Sequence, residues 1–515
     1  MAMTAPTPFP PPAAEPPTVA VAPLDGKAGR DPRLTAFTRL AWANQAWLTP
    51  MAAVLTGPWL LAAATSAVGD RGTVLDFGFW HLRADAYPSF MVAVAALLQF
   101  FVLPVVGAHV DSGPGHRRRW LVWSLAAGAA CCALFAVTGG GAWLAAGILY
   151  LFGNLVMGAL DLVYNGTLPE LAAPAERDAV SSRGIAWGYL GGGALLAVDL
   201  VLLQVHSALG LSESGMVRVC FVASGLWWLG FGLPAARGLA PRTARDARIA
   251  GTAQSEESAE SGQSAAESTE SVQTAKSLQT TESVQSGPGS AEPAAGTSLR
   301  HTLGALAGAW RTLGRMPQAR RYLIAYLLFS DAVTGVAALA ATYLTHELFG
   351  GDSDKATPFL FELVLMIQFA AVFGAWSFAV LTRRVGARTA LLLTLVLWCA
   401  VVLYGWAWMR TTTEAVGMGV AVGIGLGSNI SLSRSIFAQM VPVGREATFF
   451  SLYEVAGNGT AWLAPLVFTV VVNATGSFRQ ALLSLMALFV AGFVLLLFTD
   501  INEASREARL VDAGG

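Results

Sequence analysis

The stretch from Gly251 to Gly296 reads GTAQSEESAESGQSAAESTESVQTAKSLQTTESVQSGPGSAEPAAG and divides the chain into two parts. It contains seven Glu, one Lys and no aromatic residue, and the pentapeptide TESVQ occurs in it twice, from Thr269 and from Thr281. Such a composition buries too little apolar surface to offset the entropy lost on ordering. The stretch is therefore predicted to be a disordered linker between two apolar blocks.

The composition outside this linker is that of a membrane protein. The chain has 515 residues, of which 54% are hydrophobic and 13% charged, and its mean hydropathy is +0.55. Ordinary soluble domains carry about 25% charged residues. The net charge of −1 gives no reason to expect a nucleic-acid partner.

Apolar segments long enough to cross a bilayer, about 20 residues each, recur on both sides of the linker. The sequence predicts an all-α integral membrane protein with twelve transmembrane helices in two six-helix halves. The predicted spans 1 to 6 cover residues 40–65, 87–110, 119–138, 142–165, 184–206 and 216–237, and spans 7 to 12 cover 321–345, 358–381, 387–408, 414–437, 447–472 and 478–499.

The predicted domains follow from these spans. They are a disordered N-terminal tail (1–38, with eight prolines in the first 23 positions), an N-terminal half (39–238), a cytoplasmic linker (239–319), a C-terminal half (320–500) and a C-terminal tail (501–515). If the N-terminus is cytoplasmic, the outer loops hold six of the 32 Lys and Arg residues and the inner loops and ends hold the other 26. Basic residues concentrate on the cytoplasmic side, so both termini are predicted to be cytoplasmic.

Motifs of enzymes and metal sites are missing from the sequence. The four cysteines lie inside apolar segments and the six histidines show no ligand spacing, so neither a disulfide framework nor a metal site is expected. The sequence also lacks a Walker loop, HExxH and GxSxG. We therefore expect no cofactor and no enzymatic activity.

Two internal matches relate the halves. The loop after span 2 contains Gly107, Asp111, Arg117 and Arg118, and resembles the signature loop of the major facilitator superfamily. A basic copy without the acid, at 383–388, follows span 8. Spans 4 and 10 each run into a proline, Pro169 and Pro442, and a short charged loop follows each proline. Together these matches indicate a parallel repeat about an axis along the membrane normal.

Ionisable groups at membrane depth are costly and usually functional. Asp331 lies ten residues into span 7, near mid-bilayer, and a buried carboxyl group can bind a proton near neutral pH. It is the predicted proton-coupling residue. Asp199 and Glu362 lie close to the outer face, where water could solvate them. Each of these acids could instead be a structural carboxylate.

The run from Leu432 to Pro465, with its segments LSRSIF, FFSLYE and WLAP, resembles the autophagy-related vacuolar effluxer family, a branch of the major facilitator superfamily. Similar pieces occur in spans 1, 4, 5 and 7. The resemblance departs at Ala41, Ala332, Ile430 and Ala464, where the family usually has other residues. For fungal members it implies export of neutral amino acids from the vacuole, and for bacterial relatives it implies only a transporter.

The sequence thus predicts a secondary transporter that moves a small solute by proton-coupled alternating access. The resemblance favours an amino acid that is moved outward. The partners of this transporter would be that solute, protons and the lipid bilayer, with no nucleic acid. By resemblance, spans 1, 4, 7 and 10 line the cavity. The candidate substrate or cavity residues are Asn44, Asp161, Tyr164, Asn165, Tyr189, Asn429, Arg434, Tyr453, Glu454 and Asn458.

Two alternatives share this fold, namely a multidrug exporter and a membrane sensor or scaffold without transport. The Ala- and Gly-rich composition favours a bacterial plasma membrane over a vacuolar membrane. Asp161 and Arg434 lie eight residues before Pro169 and Pro442, so they occupy equivalent places with opposite charge. We expect them to form an inner gate, unless Arg434 only binds loop carbonyls.

Overall fold

The computed structural model describes residues 32–69, 71–111, 116–171, 177–239, 313–441, 449, 453, 456–457 and 460–513. The linker stretch from Gly251 to Gly296, Glu454 and Asn458 lie outside these residues. Ten helices of the described part are long and apolar enough to cross a membrane. Two further helices, His116–Phe135 and Leu463–Thr475, occupy predicted spans 3 and 11. The all-α membrane architecture predicted from the sequence is therefore confirmed.

The first half begins with span 1, in which α-helix Pro32–Ala46 continues as π-helix Trp47–Leu55 and then as α-helix Thr56–Val68. The remaining helices of this half are span 2 (Tyr87–Asp111), span 3 (His116–Phe135), span 4 (Trp143–Asn165), the short helix Leu168–Leu171, span 5 (Arg177–Gln204) and span 6 (Glu213–Gly238). We call the end at which span 1 begins the inner end of the molecule, and the opposite end the outer end.

The second half repeats the arrangement. Its helices are span 7 (Pro317–Phe349), span 8 (Ser353–Val385), span 9 (Ala387–Ala407), span 10 (Thr412–Ala438), the described helix of span 11 (Leu463–Thr475), span 12 in two pieces (Phe478–Ser484 and Met486–Leu497), and a C-terminal helix (Ile501–Ala513). The C-terminal helix is tied to the inner end of span 7, because the Gln318 side chain donates to Glu503 at 2.8 Å.

Helix packing shows the repeat directly. Spans 2 and 4, 3 and 4, 3 and 6, and 1 and 6 pack together in the first half. The pairs six spans later, 8 and 10, 9 and 10, 9 and 12, and 7 and 12, pack together in the second half. Between the halves, span 5 packs against span 8 and span 2 against span 11, which are again equivalent pairs. This is a parallel repeat of the kind that the sequence indicates.

The π-helical part of span 1 has a local cause in the sequence. Pro50 lies inside it and supplies no backbone N–H, and its ring would clash with the carbonyl four residues earlier in a regular α-helix. One wider turn relieves that clash, and such turns are frequent at functional sites. Span 1 is therefore irregular in the middle of the membrane.

Glycines of span 5 bring it close to this irregular part of span 1. A Cβ atom at Gly192 would lie 2.5 Å from Thr49 Oγ1, and one at Gly191 would lie 2.5 Å from the carbonyl oxygen of Trp42. Small residues at these positions allow the backbones of the two helices to approach closely. They also hold span 1 against span 5 beside the central cavity described below.

The outer loop after span 1 forms a hairpin. Strand β1 (Thr73–Asp76) pairs antiparallel with β2 (His81–Arg83), with Asp76 opposite His81. Gly78, at φ 77°, makes the tight turn, where its N–H donates to Asp76 Oδ1. The hairpin places Arg83 at the outer end of span 2, facing the other half.

Candidate functional site

A cavity of about 270 Å³ lies between the two halves. Spans 1, 5, 7, 8 and 10 line it. Its walls are Gln45, Leu48, Thr49, Ala53, Tyr189, Ala337, Ala340, Ala341, Leu344, Leu360, Leu363, Val364, Ile367, Gln368, Val422 and Leu426. Spans 1, 7 and 10 take part as the sequence resemblance implies. Spans 5 and 8 contribute as well, whereas no described span 4 residue belongs to the lining.

The cavity is apolar with four polar positions. Gln45, Thr49, Tyr189 and Gln368 supply amide and hydroxyl groups, and among the described lining residues no Asp, Glu, Lys, Arg or His occurs. The Thr49 hydroxyl donates to Gln45 Oε1 at 2.8 Å, which orients the amide. A cavity of this kind suits a small solute whose polar groups can be hydrogen-bonded by neutral side chains.

Asp331 is completely buried in the middle of span 7, where it contacts the start of the described helix of span 11. The N–H of Ala464 donates to Asp331 Oδ2 at 2.8 Å. Ala464 is the second residue of that helix, whose N-cap residue Trp462 has an indole side chain that cannot accept a hydrogen bond. Asp331 therefore caps a helix of another span from across the helix interface.

All four N–H positions at this helix start are accounted for, as backbone inside a membrane requires. Leu463 N–H donates to the carbonyl of Thr460 at 2.8 Å, and Leu466 N–H to that of Trp462 at 3.0 Å. Pro465 has no N–H, and Ala464 uses Asp331. The second carboxyl oxygen of Asp331, Oδ1, has no partner among the described residues. It is the atom at which a proton can be added without breaking the cap.

The two halves are joined at the outer end by a set of hydrogen bonds that we call the outer latch. Arg83 N–H donates to Asn473 Oδ1 at 2.8 Å, and Asn473 Nδ2 donates to the carbonyl of His81 at 2.9 Å. One turn deeper, the Thr469 hydroxyl donates to that of Ser89 at 2.8 Å. Span 11 thus holds the β hairpin and span 2, and the outer end is closed.

Equivalent aromatic stacks mark the inner ends of the halves. Tyr164 of span 4 stacks on Phe37 of span 1, with ring centres 4.2 Å apart. Phe437 of span 10 stacks on Tyr322 of span 7 at 6.3 Å. Tyr164 comes three positions after Asp161, and Phe437 comes three positions after Arg434. Asp161 and Arg434, both half-buried, therefore lie at equivalent places in the two repeats.

The other predicted cavity residues lie in several places. Tyr189 lines the cavity. Asn44 is buried against span 6, where its Oδ1 accepts from Trp228 Nε1 at 3.3 Å, and Asn429 Oδ1 accepts from Ser433 within span 10. Asn165 is exposed at the end of span 4. Tyr453 is buried and stacks on Tyr326 of span 7 at 4.1 Å.

The predicted signature loop lies at the inner end of spans 2 and 3. Gly107 packs against the Leu162 side chain of span 4, and Asp111 is the last residue of span 2. Arg117 and Arg118 begin span 3, and Arg117 approaches Gly166 at the end of span 4. The described residues of this motif therefore contact span 4 from the ends of spans 2 and 3.

Sequence reasoning missed Gln45, Thr49 and Gln368. Gln368 is a polar residue in the middle of the apolar span 8, and this signal could have identified it, since such residues usually face a cavity. Asp199 and Glu362, the two acids near the outer face that water could solvate, differ in their surroundings. Asp199 is fully buried, whereas Glu362 is exposed.

Solved transporters share this fold. The chain superposes with a TM-score of 0.56 on a D-xylose–proton symporter, at 12% identity, over 90% of this chain and 95% of that one. A bacterial homologue of the human lysosomal transporter Spinster, in an inward-facing and unoccupied conformation, matches with a TM-score of 0.51 at 14% identity, over 95% and 98% of the two chains. At these identities the likeness concerns the fold.

Sequence relatives come from bacteria and fungi. An uncharacterized MFS-type transporter, YxiO of Bacillus subtilis, is 22% identical over 91% of this chain and 96% of its own length. Autophagy-related protein 22-1 of Phaeosphaeria nodorum is 24% identical over 84% and 79%. That of Aspergillus niger is 26% identical over 64% of this chain and 48% of its own length, so the match spans about half of that relative.

The family described as Vacuole effluxer Atg22 like matches residues 58–509, from the outer part of span 1 to the C-terminal helix. Together with the helical repeat and the cavity between its halves, this match establishes a multi-pass membrane transporter rather than an enzyme. The chain belongs to the Atg22-like vacuole effluxer family of the major facilitator type.

Proposed function

We propose that this protein exports a small neutral solute, most simply a neutral amino acid, by proton-coupled alternating access. The observation that carries the proposal is the uncharged cavity between the halves. Glutamine amides both donate and accept hydrogen bonds, so Gln45 and Gln368 can serve the carboxylate and the ammonium group of one zwitterion. The surrounding Leu, Val and Ala side chains would receive an apolar side chain.

Cavity size favours a small solute over the multidrug alternative. Pockets that enclose drug-sized ligands measure about 300–1,000 Å³, and this cavity of about 270 Å³ lies just below that range. This volume favours an amino acid such as leucine or methionine over a bulky lipophilic cation, which would also find no acidic side chain among the described lining residues. Outward movement across a bacterial plasma membrane, with the inner end facing the cytoplasm, completes the proposal.

Proton coupling is assigned to Asp331. Its carboxyl group is buried and holds the start of a helix in span 11, and the outer part of the same helix carries Thr469 and Asn473 of the outer latch. Adding a proton at Oδ1 removes the negative charge from the helix N-terminus and weakens the cap. Proton binding at Asp331 and the outer latch would then act on the same helix, Leu463–Thr475.

Flux in proteoliposomes tests the function. The purified full chain would be assayed with labelled leucine, glutamine, lysine, aspartate and tetraphenylphosphonium, with and without an imposed proton gradient. We expect gradient-driven accumulation of leucine over lysine, aspartate and the cation. Gradient-driven accumulation of the cation alone would favour the multidrug exporter, and no flux of any of these would favour the sensor or scaffold.

A cavity variant links that flux to the site. Gln368→Leu removes an amide that is proposed to bind a charged group of the substrate, and such hydrogen bonds contribute about 1.5–3 kcal/mol. The KM for leucine should rise by about tenfold or more, with little change in protein yield. Glu362→Gln is the matched control, because this residue lies on the same span and is exposed.

A further inference from the structure

Asp199 is a second buried acid, in the other half of the molecule from Asp331. It lies in span 5 and its side chain is completely inaccessible. Its neighbours one turn away on the same helix are Leu195, Leu196 and Leu203, all buried. Val198 and Val201 on the opposite face are exposed. The carboxyl group thus belongs to the apolar face with which span 5 packs into its half.

Neither carboxyl oxygen of Asp199 has a hydrogen-bond partner among the described residues. On span 6 the facing titratable group is Cys220, whose Sγ lies 4.0 Å from the backbone carbonyl oxygen of Asp199. The thiol lies beside the carboxyl group. A thiol of this kind cannot neutralise a carboxylate.

The spans packed against span 5 direct no cationic side chain of their described residues toward Asp199. Arg218 of span 6 lies over the Trp59 ring, 5.4 Å from its centre, and donates to the carbonyl of Ala136. Span 1 has no ionisable side chain from Leu40 to Val68. The charged residues of span 8 lie at its two ends, apart from the exposed Glu362. At the outer end, His206 lies beside Glu213.

An ionised carboxylate in these surroundings would be a buried charge without a partner, which proteins avoid by neutralising the group. We propose that Asp199 is a proton-binding site, occupied in this outer-closed state and emptied when the outer end opens and admits water to spans 5 and 6. The site is separate from Asp331 and does not depend on which solute is carried.

Infrared spectroscopy of the purified full chain in lipid nanodiscs tests the protonation state. At neutral pH the wild type should show the carbonyl band of a protonated carboxyl group, and Asp199→Asn should lack that component. Glu362→Gln is the matched control and should keep it, while Asp331→Asn identifies any contribution of Asp331. A wild-type spectrum without the band, or the same band in Asp199→Asn, would overturn the proposal.

A second variant covers the case in which Asp199→Asn does not fold. Cys220→Ser keeps the acid and places a hydroxyl beside it, so the carbonyl band should shift to lower frequency without disappearing. An unshifted band would show that the protonated group lies elsewhere, and the proposal would then fail.

The link to opening is tested by distances between spin labels at Phe79, which is 91% exposed on the hairpin, and at the exposed Thr413 of span 10, in a Cys399→Ala background. Because the proton is bound in the closed state and lost in the open one, rising pH should favour the open state. One such proton changes the open-to-closed ratio by at most about tenfold per pH unit. Asp199→Asn should reduce the slope by one proton, and an unchanged slope would contradict the proposed link.

Discussion

Spans 1 and 5 of the first half correspond to spans 7 and 11 of the second, yet the two pairs depart from regular helix in different members. Span 1 contains a π-helical segment and span 5 is continuous, whereas span 7 is a continuous α-helix of 33 residues and the described helix of span 11 begins only at Leu463. Phe37 and Tyr322 occupy equivalent stacks in the two halves. By this equivalence Asp331 corresponds to Ala46, the residue directly before the π-helical segment. Both halves are irregular at the same depth.

The difference lies in how the irregular backbone is satisfied. The first half widens one turn around Pro50 and needs no charge to do so. The second half starts a helix inside the membrane, and its Ala464 N–H requires an acceptor from another span. A proton can therefore act on the irregular region of the second half, through Asp331, but not on the equivalent region of the first.

The largest expected effect comes from replacing Asp331. Asp331→Asn keeps an acceptor for Ala464 but cannot titrate, so gradient-driven accumulation should be abolished while substrate exchange continues. Asp331→Leu should in addition destabilise the protein by about 1–3 kcal/mol, because the Ala464 N–H is left without an acceptor. Transport with and without a pH gradient, together with thermal unfolding, separates the two effects. An Asp331→Asn protein that still concentrates substrate with the wild-type pH profile would exclude Asp331 as the coupling residue.

The inner gate comes next in size. Removing one partner of a buried ion pair costs about 3–5 kcal/mol, and less where water reaches the pair. Asp161→Asn or Arg434→Gln should therefore favour the inward-open state and slow turnover more than it weakens binding. Exchanging the two charges, Asp161→Arg with Arg434→Asp, should restore part of the activity. A double-mutant cycle without coupling between the positions would leave the gate without support.

Helix contacts within the two compared pairs can be disturbed separately. Gly191→Ala puts a methyl group against the Trp42 backbone, and Gly335→Ala puts one 2.6 Å from the Ala464 methyl group. Overpacking of this kind costs roughly 1–3 kcal/mol. We expect both variants to unfold at lower temperature, but only Gly335→Ala to change the pH dependence of transport, because it displaces the helix that Asp331 caps. Gly230→Ala, with nothing within 4 Å, is the control.

A smaller effect is expected at the outer latch. Asn473→Ala removes two side-chain hydrogen bonds to the hairpin, each contributing about 0.5–1.5 kcal/mol. The outer-open population should rise several-fold in distance measurements between the labels at Phe79 and Thr413. Thr469→Val, which removes the single bond to Ser89, should have a weaker effect in the same direction. If the outer-open population is unchanged in these variants, the apolar contacts around the outer latch, and not its hydrogen bonds, keep the outer end closed.

The smallest effect is expected from the linker. Deleting Gly251 to Gly296 removes a stretch without an apolar face to pack, and loop length changes closure entropy only slowly. Membrane expression and leucine flux should stay close to those of the wild type. Loss of the folded protein would mean that the linker makes a contact with one of the halves that folding requires.

The sequence was sufficient for the architecture because apolar length and internal repetition are local properties. Residue spacing before Pro169 and Pro442 indicated the repeat, and the depth of Asp331 within span 7 identified the acid that caps span 11. Neither the π-helical segment nor the helix start at Leu463 could be read from hydropathy, since both are apolar stretches of ordinary length. The burial of Asp199 could not be read from the sequence either, because position along a span gives depth but not the face on which a residue lies.

The cavity residues were missed for a related reason. Gln45 follows Asn44 directly, and the sequence does not show which of these amides faces the partner half and which faces span 6. Both residues lie in the α-helix Pro32–Ala46, and the choice depends on how this helix packs against spans 5 and 6. Tyr189 lines the cavity, and the glycines of span 5 hold its helix close against span 1.

The hydrogen bond between Asp331 and Ala464 also constrains how the protein is made. The two residues are 133 positions apart, so a ribosome delivers span 7 to the membrane well before the start of the span 11 helix exists. During that interval Asp331 must stay hydrated, remain protonated or wait beside the insertion machinery, because lipid offers it no donor. The second half therefore cannot complete its core until its penultimate span arrives, whereas the first half contains no such long-delayed partner for the equivalent position, Ala46.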